Sequence, residues 1–442
     1  MQPRLTVSGY RGIWGKTLTE EIALDYARAF ALFVQARNGK TILIGRDGRE
    51  SGSALLESIT TQLLALGFNV VDLGLVATPV VVFLVRNEKA DGAIIITASH
   101  NPIEYNGLKF VTGSGAFTTE TEVAEIESLR GASPKEAPRP GIRTDGTPLF
   151  EKYFSTLLSN INVESIKSKN FKAALDPINS VGCTTTPSLL EKLGTSYGII
   201  NGEPDGKFAH EPEPLAKNLT GLQTLVREKK CDVGFAQDPD GDRLVICDET
   251  GTIPTEETML ALCLKSILSK TPGDIVINLS TSNMSEDVAA TFGQKTFRSK
   301  VGEANVVKMM VEKNAIAGGE GGGGIIWPVV NVARDSYVGI ALILELMAQE
   351  QKPLSQIINT LPKYSMLKEK ISFAGNLPDL YTKIQNLFPS TALNTLDGLR
   401  LDFPDRSWIH VRPSNTEPIV RIIAEAKTEN EVTKLIAQVK AL

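Results

Sequence analysis

Asp238-Pro-Asp240-Gly-Asp242-Arg243 sets three carboxylates at alternate positions in a segment bent by Pro239 and Gly241. Three such side chains converge on one hard cation. They are too few for a Ca²⁺ shell but suit Mg²⁺, which completes its octahedron with phosphate oxygens and water. An EF-hand would need a bidentate Glu closing the loop, here Glu249, and the intervening Leu244–Cys247 reads as a strand. An acidic turn of solvated charges is the plainer alternative; the apolar strands on either side favour a metal loop.

Thr97-Ala-Ser99-His100-Asn-Pro102 follows the apolar run Gly92–Ile96. A serine at the carboxyl end of a strand, beside a histidine in a Pro-braked turn, is placed to be a nucleophile. By itself such a pair is more often a hydrogen-bonded turn. No G-x-S-x-G elbow is present, and a hydrolase triad would rest on His100, His210 or His410 alone. A nucleophilic serine together with a Mg²⁺ loop points to phosphoryl transfer, because the metal neutralises charge on the transferring group.

Gly318-Gly-Glu320-Gly-Gly-Gly-Gly324 permits close backbone approach and carries one carboxylate, a good acceptor from sugar hydroxyls and a poor phosphate ligand. It lacks the GK[ST] ending of a P-loop, and a flexible turn is the competing interpretation. Arg412-Pro-Ser414-Asn415-Thr416-Glu-Pro418, followed by Arg421, offers two guanidinium groups, two hydroxyls and turn N–H donors, the makings of a phosphate cradle. A polar hairpin loop with a surface Arg is its alternative. Arg11, Arg46 and Arg49 add cations near the first unit.

These loops need elements to hold them. At roughly 150 residues per domain, 442 residues suggest about three units, with four possible. A composition of 42% hydrophobic and 22% charged residues excludes disordered and fibrous classes, and 46 Lys and Arg against 51 Asp and Glu argue against a surface built for polyanions. The apolar runs Val80–Val85 and Val338–Leu344 are far short of the roughly 18 residues that span a bilayer. With no apolar leader at the start, and four cysteines placed singly, a cytoplasmic protein with reduced thiols is expected.

An order of elements repeats three times. First come strand Thr41–Gly45, helix Ala54–Leu66 ended by Gly67, strand Phe68–Leu73, and strand Gly92–Ile96 opening into the serine loop. The second copy has strand Lys172–Leu175, helix Thr186–Leu193, strand Ser196–Ile200, and Val233–Ala236 opening into the acidic loop. The third has strand Asp274–Leu279, helix Glu286–Phe292, a short strand to Gly302, and Asn314–Ala317 opening into the glycine loop. Alternating strands and helices predict mostly parallel α/β units, whose ligands bind at the carboxyl ends of strands. The expected architecture is three related mixed-sheet α/β domains (1–148, 149–252, 253–364) and a C-terminal α+β domain (365–442) around one cleft, with a linker near Pro362–Ser372.

TASHNP, DPDGDR, the GE-glycine loop and RPSNTEP, in this order and spacing, resemble the α-D-phosphohexomutase family of phosphoglucomutases, phosphomannomutases and phosphoglucosamine mutases. The likeness runs from SGYRG nearly to the end of the chain. It implies that Ser99 is phosphorylated and that Asp238, Asp240 and Asp242 bind Mg²⁺ with the Ser99 phosphate. It implies a hexose 1,6-bisphosphate intermediate that turns over while Arg412, Ser414, Asn415, Thr416 and Arg421 hold its far phosphate. His100, Lys109, Arg243 and Arg11 would surround the reacting oxygens, with Lys109 lowered in pKa by neighbouring cations. Glu320 and Gly322 would belong to the sugar site. The expected partner is a small sugar phosphate, not nucleic acid or membrane, with the protein a monomer or homodimer.

Many members read GE-x-SGH in the sugar loop, whereas Gly322 and Gly324 stand here for the serine and histidine. The motif set looks most like a bacterial branch of phosphoglucosamine mutases, with archaeal-type phosphogluco/phosphomannomutases close behind. Two other classes stay open. One is a silent sugar-phosphate-binding relative, against which Ser99, the three Asp and both cradle arginines argue. The other is a metal-dependent phosphatase, which would release inorganic phosphate and need no distal cradle.

Overall fold

Runs that are apolar throughout become either inner strands or helices buried on every side. The computed structural model describes residues 3–373, 375–389, 391–413 and 419–442, and the chain divides into two units, Gln2–Ser266 with Gly322–Asn359, and Ile267–Gly321 with Thr360–Leu442.

In the larger unit, a six-stranded sheet runs in the order Tyr10–Ile13, Tyr105–Thr112, Gly92–Ile96, Thr41–Arg46, Asn69–Leu75, Arg143–Asp145. Gly92–Ile96, with all five residues buried, is parallel to Thr41–Arg46 and antiparallel to Tyr105–Thr112. That hairpin puts Lys109 opposite Ile95, next to the serine loop. Helix Glu20–Gln35, capped by Thr19 accepting from the Ile22 amide, lays Tyr26, Ala27 and Phe30 against a core that includes Ile44, Ile59 and Phe110. A second sheet has the order Leu244–Asp248, Val233–Gln237, Lys172–Asp176, Ser196–Ile199. Its first two strands form an antiparallel hairpin pairing Leu244 with Gln237, and the acidic loop is the hairpin's tip.

The run Val338–Leu344 lies in helix Ser336–Glu350, buried at every residue from Ser336 to Ala348. An all-round apolar helix is stable only inside a core. Asp335 caps it, accepting from the amides of Tyr337 and Val338 and from the hydroxyl of Tyr153 and the amide of Asn331.

In the smaller unit, strands Thr296–Ser299, Ile275–Asn278 and Ala317–Glu320 are parallel neighbours. A five-stranded antiparallel sheet follows, in the order Ser365–Ser372, Ile419–Ala426, Trp408–Pro413, Leu399–Asp402, Ala392–Asn394. The protein thus has three α/β sheets and a C-terminal antiparallel one. Within the C-terminal sheet, helix Glu429–Lys440 packs Val432, Ile436 and Val439 on the strand residues Ile422 and Ala424.

Two expectations are corrected. Residues 365–372 of the supposed linker form a strand, paired along its whole length with Ile419–Ala426. The third copy's last strand is Ala317–Glu320, not Asn314–Ala317, so part of the glycine run is itself strand. Glycine is needed there because a Cβ on Gly318 would come within 2.6 Å of Met310 Sδ and of Val276 O. Helix Glu303–Lys313, unread in the sequence, precedes that strand.

Asp335→Ala removes a cap and leaves the buried Tyr153 hydroxyl without its acceptor. The expected loss is about 3 kcal/mol, from a cap worth about 1 and an orphaned buried donor worth about 2. Tyr153→Phe should cost less than half of that. Urea unfolding midpoints measure both, and a wild-type midpoint for Asp335→Ala would show that this network does not stabilise the fold.

Candidate active site

Ser99 is buried, and its backbone φ of 51° lies in the left-handed region. Its hydroxyl stands 3.2 Å from Asp238 Oδ2 and 3.3 Å from His100 Nδ1. The other two histidines are elsewhere: His210 pairs with Asp176 at 3.1 Å, and His410 in the smaller unit lies between the Ser280 hydroxyl and the Asp397 carbonyl. No hydrolase triad forms around Ser99 from these groups.

Asp238, Asp240 and Asp242 are all buried, and one oxygen from each lies within 4.8 Å of the others. On each carboxylate, one oxygen is tied to protein. Asp238 Oδ1 accepts from the amides of Asp242 (3.1 Å) and Arg243 (3.0 Å). Asp240 Oδ2 accepts from Thr78 Oγ1 (2.7 Å) and Lys109 Nζ (2.5 Å). Asp242 Oδ2 accepts from Arg334 Nη2 (2.7 Å), with Lys109 Nζ at 3.5 Å. The opposite oxygens of Asp240 and Asp242 have no hydrogen-bond partner among the described residues, and that of Asp238 meets only the Ser99 hydroxyl among the hydrogen bonds seen. Orphaned buried carboxylate oxygens are costly unless a cation takes them. The donor set, all carboxylate and hydroxyl, fits a hard divalent ion.

Electrostatics tell the same story. Burial, reinforced by Asp242 and Asp240, pushes the Asp238 carboxyl well up. Burial acts likewise on Asp240, but Lys109 beside it and the Lys109 and Thr78 hydrogen bonds hold it far below the usual carboxylate range. Lys109 is pulled down by burial and held up by Asp240 and Asp242, with the net direction upward. The lowering expected from neighbouring cations is therefore reversed, because the two carboxylates outweigh Arg11. Burial, with help from Arg243 and Arg11, pushes His100 down to about 2, so it is a neutral hydrogen-bonding group. Arg11 Nη1 donates to Asn101 Oδ1 at 3.0 Å, and Arg243 Nε stands 3.9 Å from Asp242 Oδ1.

Three hydroxyls hold the acidic loop in place. Thr78 reaches Asp240, Ser180 Oγ donates to Pro239 O (2.5 Å) while accepting from the Gly48 amide (2.8 Å), and Ser336 Oγ donates to Gly241 O (2.6 Å). Gly241 adopts a φ of 68° with Ala77 Cβ 3.1 Å from where a side chain would begin.

The structure brings Ser99, His100, Lys109, Arg11, Arg243 and the three Asp together in the larger unit. Gly322 belongs to that unit too, at a φ of 93°. Glu320 is in the smaller unit, buried, its Oε1 accepting from Asn278 Nδ2 and the Gly302 amide, both at 2.7 Å. Arg412 and Arg421 face each other across neighbouring strands, Arg412 being 3.8 Å from Asp397 and Arg421 exposed. Ser414, Asn415 and Thr416 lie outside the described residues. Arg334 escaped the sequence reading altogether: a lone Arg before an apolar helix gives no signal. Thr78 and Ser180 were equally silent.

Four family models match in order: phosphoglucomutase/phosphomannomutase alpha/beta/alpha domain I over residues 4–134, domain II over 151–251, domain III over 255–364, and the C-terminal domain over 376–442. A phosphoglucomutase/phosphomannomutase of Thermococcus kodakarensis is 34% identical over 438 residues, covering 97% of this chain and 95% of the relative. A phosphoglucosamine/phosphogalactosamine mutase of Sulfurisphaera tokodaii is 34% identical over 446 residues, covering 98% and 97%. Among solved structures, a phosphoglucomutase/phosphomannomutase family protein of Burkholderia thailandensis superposes with a TM-score of 0.88 at 26% identity, covering 99% of this chain and 96% of that one. With matches that span all four domains, the chain belongs to the phosphoglucomutase/phosphomannomutase family, an isomerase of the α-D-phosphohexomutase kind.

Proposed function

We propose that the chain interconverts hexose 1- and 6-phosphates through a phosphorylated Ser99 and a hexose 1,6-bisphosphate, with glucosamine phosphates as the preferred substrates. The observation that carries this is the Ser99 hydroxyl 3.2 Å from Asp238 Oδ2, beside two further carboxylates that each leave one buried oxygen free of hydrogen bonds. A Mg²⁺ held by Asp238, Asp240, Asp242 and the seryl phosphate would supply charge neutralisation for the transferring group.

In the forward step, a free sugar hydroxyl takes the phosphoryl group: its oxygen–phosphorus bond forms as the Ser99 Oγ–phosphorus bond breaks, and the hydroxyl's proton passes to Ser99 Oγ. In the return step, Ser99 Oγ takes the other phosphoryl group, and the seryl proton ends on the leaving sugar oxygen. Protonated Lys109 and Arg243 put positive charge beside this exchange, where phosphoryl transfer depends most on positioning and electrostatics. Neutral His100 adds a hydrogen-bonding nitrogen at 3.3 Å from Oγ. Arg412 and Arg421, with Ser414, Asn415 and Thr416, would grip the phosphate that is not reacting. Glu320 would accept from sugar hydroxyls, with Gly322 in the same loop. The glucosamine preference draws on the motif set and on the name of the Sulfurisphaera tokodaii relative.

A ³¹P NMR time course tests the whole reading, with Mg²⁺, a trace of hexose 1,6-bisphosphate, and glucosamine, glucose and mannose 1-phosphates offered separately. A 6-phosphate signal should grow without inorganic phosphate, fastest for glucosamine. Inorganic phosphate as the product would make the protein a phosphatase; a faster glucose or mannose reaction would reassign the sugar.

Ser99→Ala should reduce isomerisation to background and weaken Mn²⁺ binding, because it removes one ligand and leaves the three carboxylates. Turnover at the wild-type rate, with contamination excluded, would remove Ser99 from the mechanism. Arg412→Ala should raise KM by about 10- to 100-fold, as expected for one charge-assisted phosphate contact, and should let bisphosphate escape. Unchanged kinetics would take Arg412 out of the phosphate site.

A further inference from the structure

A residue with a Cβ adopts a left-handed φ only when its surroundings impose it, and Ser99 does so at 51°. Arg49, 1% exposed, is bonded to its carbonyl. A guanidinium has five N–H donors, and every one is used here. Nε donates to Asp47 Oδ2 at 3.1 Å, Nη1 to the carbonyls of Pro102 (2.7 Å) and Tyr105 (2.8 Å), and Nη2 to those of Ser99 (2.8 Å) and Asn101 (2.7 Å). Asp47 Oδ2 accepts in addition from Thr97 Oγ1 at 2.6 Å, and Thr97 Oγ1 accepts from the Ser99 amide at 2.8 Å. Ser99 is therefore held at both of its peptide groups, by Arg49 at the carbonyl and by Thr97 at the N–H.

We infer that Arg49 is a positioning residue, acting with Asp47 and Thr97, that fixes the backbone of Ser99 so that its hydroxyl is aimed at Asp238. The inference rests on Ser99 being the phosphoryl acceptor. With both flanking peptides clamped, side-chain rotation about χ1 is the main freedom left to Oγ. None of the clamp's hydrogen bonds goes to Asp238, Asp240 or Asp242, whose loop is held by Thr78, Ser180 and Ser336. The clamp can thus be loosened without removing a bond from the metal-ligating carboxylates. A phosphoryl acceptor displaced by about 1 Å loses on the order of 100-fold in rate.

Two variants and a control test this. Thr97→Val deletes the bonds to Asp47 and to the Ser99 amide at nearly constant volume. Arg49→Lys keeps a cation beside Asp47, but one ammonium with three donors cannot span four carbonyls. Thr97→Ser restores the hydroxyl. The protein is first dephosphorylated, and phosphate uptake from glucose 1,6-bisphosphate is then followed in a single turnover by intact-protein mass, with the site mapped to Ser99. Mn²⁺ affinity, read by electron paramagnetic resonance, reports on the acidic loop independently of activity.

Thr97→Val and Arg49→Lys should take up phosphate about 100-fold more slowly than wild type, Thr97→Ser within a few-fold of it, and all three should bind Mn²⁺ as wild type does. Wild-type uptake rates in Thr97→Val and Arg49→Lys would overturn the positioning role. So would a fall in Mn²⁺ affinity parallel to the fall in rate, which would mean general damage to the site. Failure of the wild-type protein itself to take phosphate on Ser99 would overturn the function proposed above, and this inference with it.

Discussion

Three carboxylates buried within 4.8 Å of one another repel strongly, and a fold can hold them only by surrounding them with compensating charge and donors. Much of the larger unit answers that constraint. Lys109 comes in on the strand that turns back beside the serine strand, Arg334 on the segment before a buried helix, and Arg243 directly from the loop. Each carboxylate has one oxygen anchored, which fixes its plane, while the other stays available. That division is what a preorganised metal site requires: ligands oriented by bonds the metal does not use. In the function proposed above the same cations would serve a second purpose, because phosphorylation of Ser99 would make the group they balance still more negative.

The loops carrying this chemistry sit at strand ends, where the fold can bring separate sheets to one place without bending a strand. Ser99 follows a strand of the six-stranded sheet, and the Asp residues cap a hairpin of the next. Several bonds join them. Thr78 and Lys109 reach Asp240, and Ser180 links the Gly48 amide beside the Arg49 clamp to the Pro239 carbonyl inside the acidic loop. Gly206 shows how close the approach is, since its φ is 70° and a Cβ there would run into the Gly48 carbonyl. Rigid hydrogen-bonded contact of this kind matters more for phosphoryl transfer than for most reactions, because positioning and electrostatics carry nearly all of its catalysis.

How legible this was in the sequence depends on whether a residue's role is local. The strand Gly92–Ile96 was readable because its composition decides it. The serine and acidic loops were readable because chemistry concentrates in a few adjacent residues. The strand Ser365–Ser372 was taken for a linker, since its half-buried alternation, with Lys368, Glu369 and Lys370 in it, gains meaning only from its partner strand. The third copy's strand was misplaced by three residues, because glycines carry no β signal and are there to let neighbours approach. Arg49 looked like one more surface cation; only the folded loop shows five carbonyl and carboxylate partners around it. The direction of the Lys109 shift was unreadable for the same reason, being set by which charges end up nearest.

The departure from the usual sugar loop has a physical counterpart in Arg334. A Cβ on Gly324 would collide with the stem of Arg334 at Cδ, so any side chain at 324 must displace the arginine that holds Asp242 Oδ2. Lys109 Nζ, already 3.5 Å from that oxygen, would be the nearest cation left to take it. Doing so would draw the ammonium away from Asp240, where its hydrogen bond is 2.5 Å. One lysine cannot anchor both carboxylates as well as a lysine and an arginine together. Glycine at 324 is therefore tied to arginine at 334 through the volume they share, and through Arg334 to the orientation of a carboxylate in the acidic loop. A comparison of motifs alone registers a missing histidine at this position; the structure shows that the space is already filled by a residue with a different task.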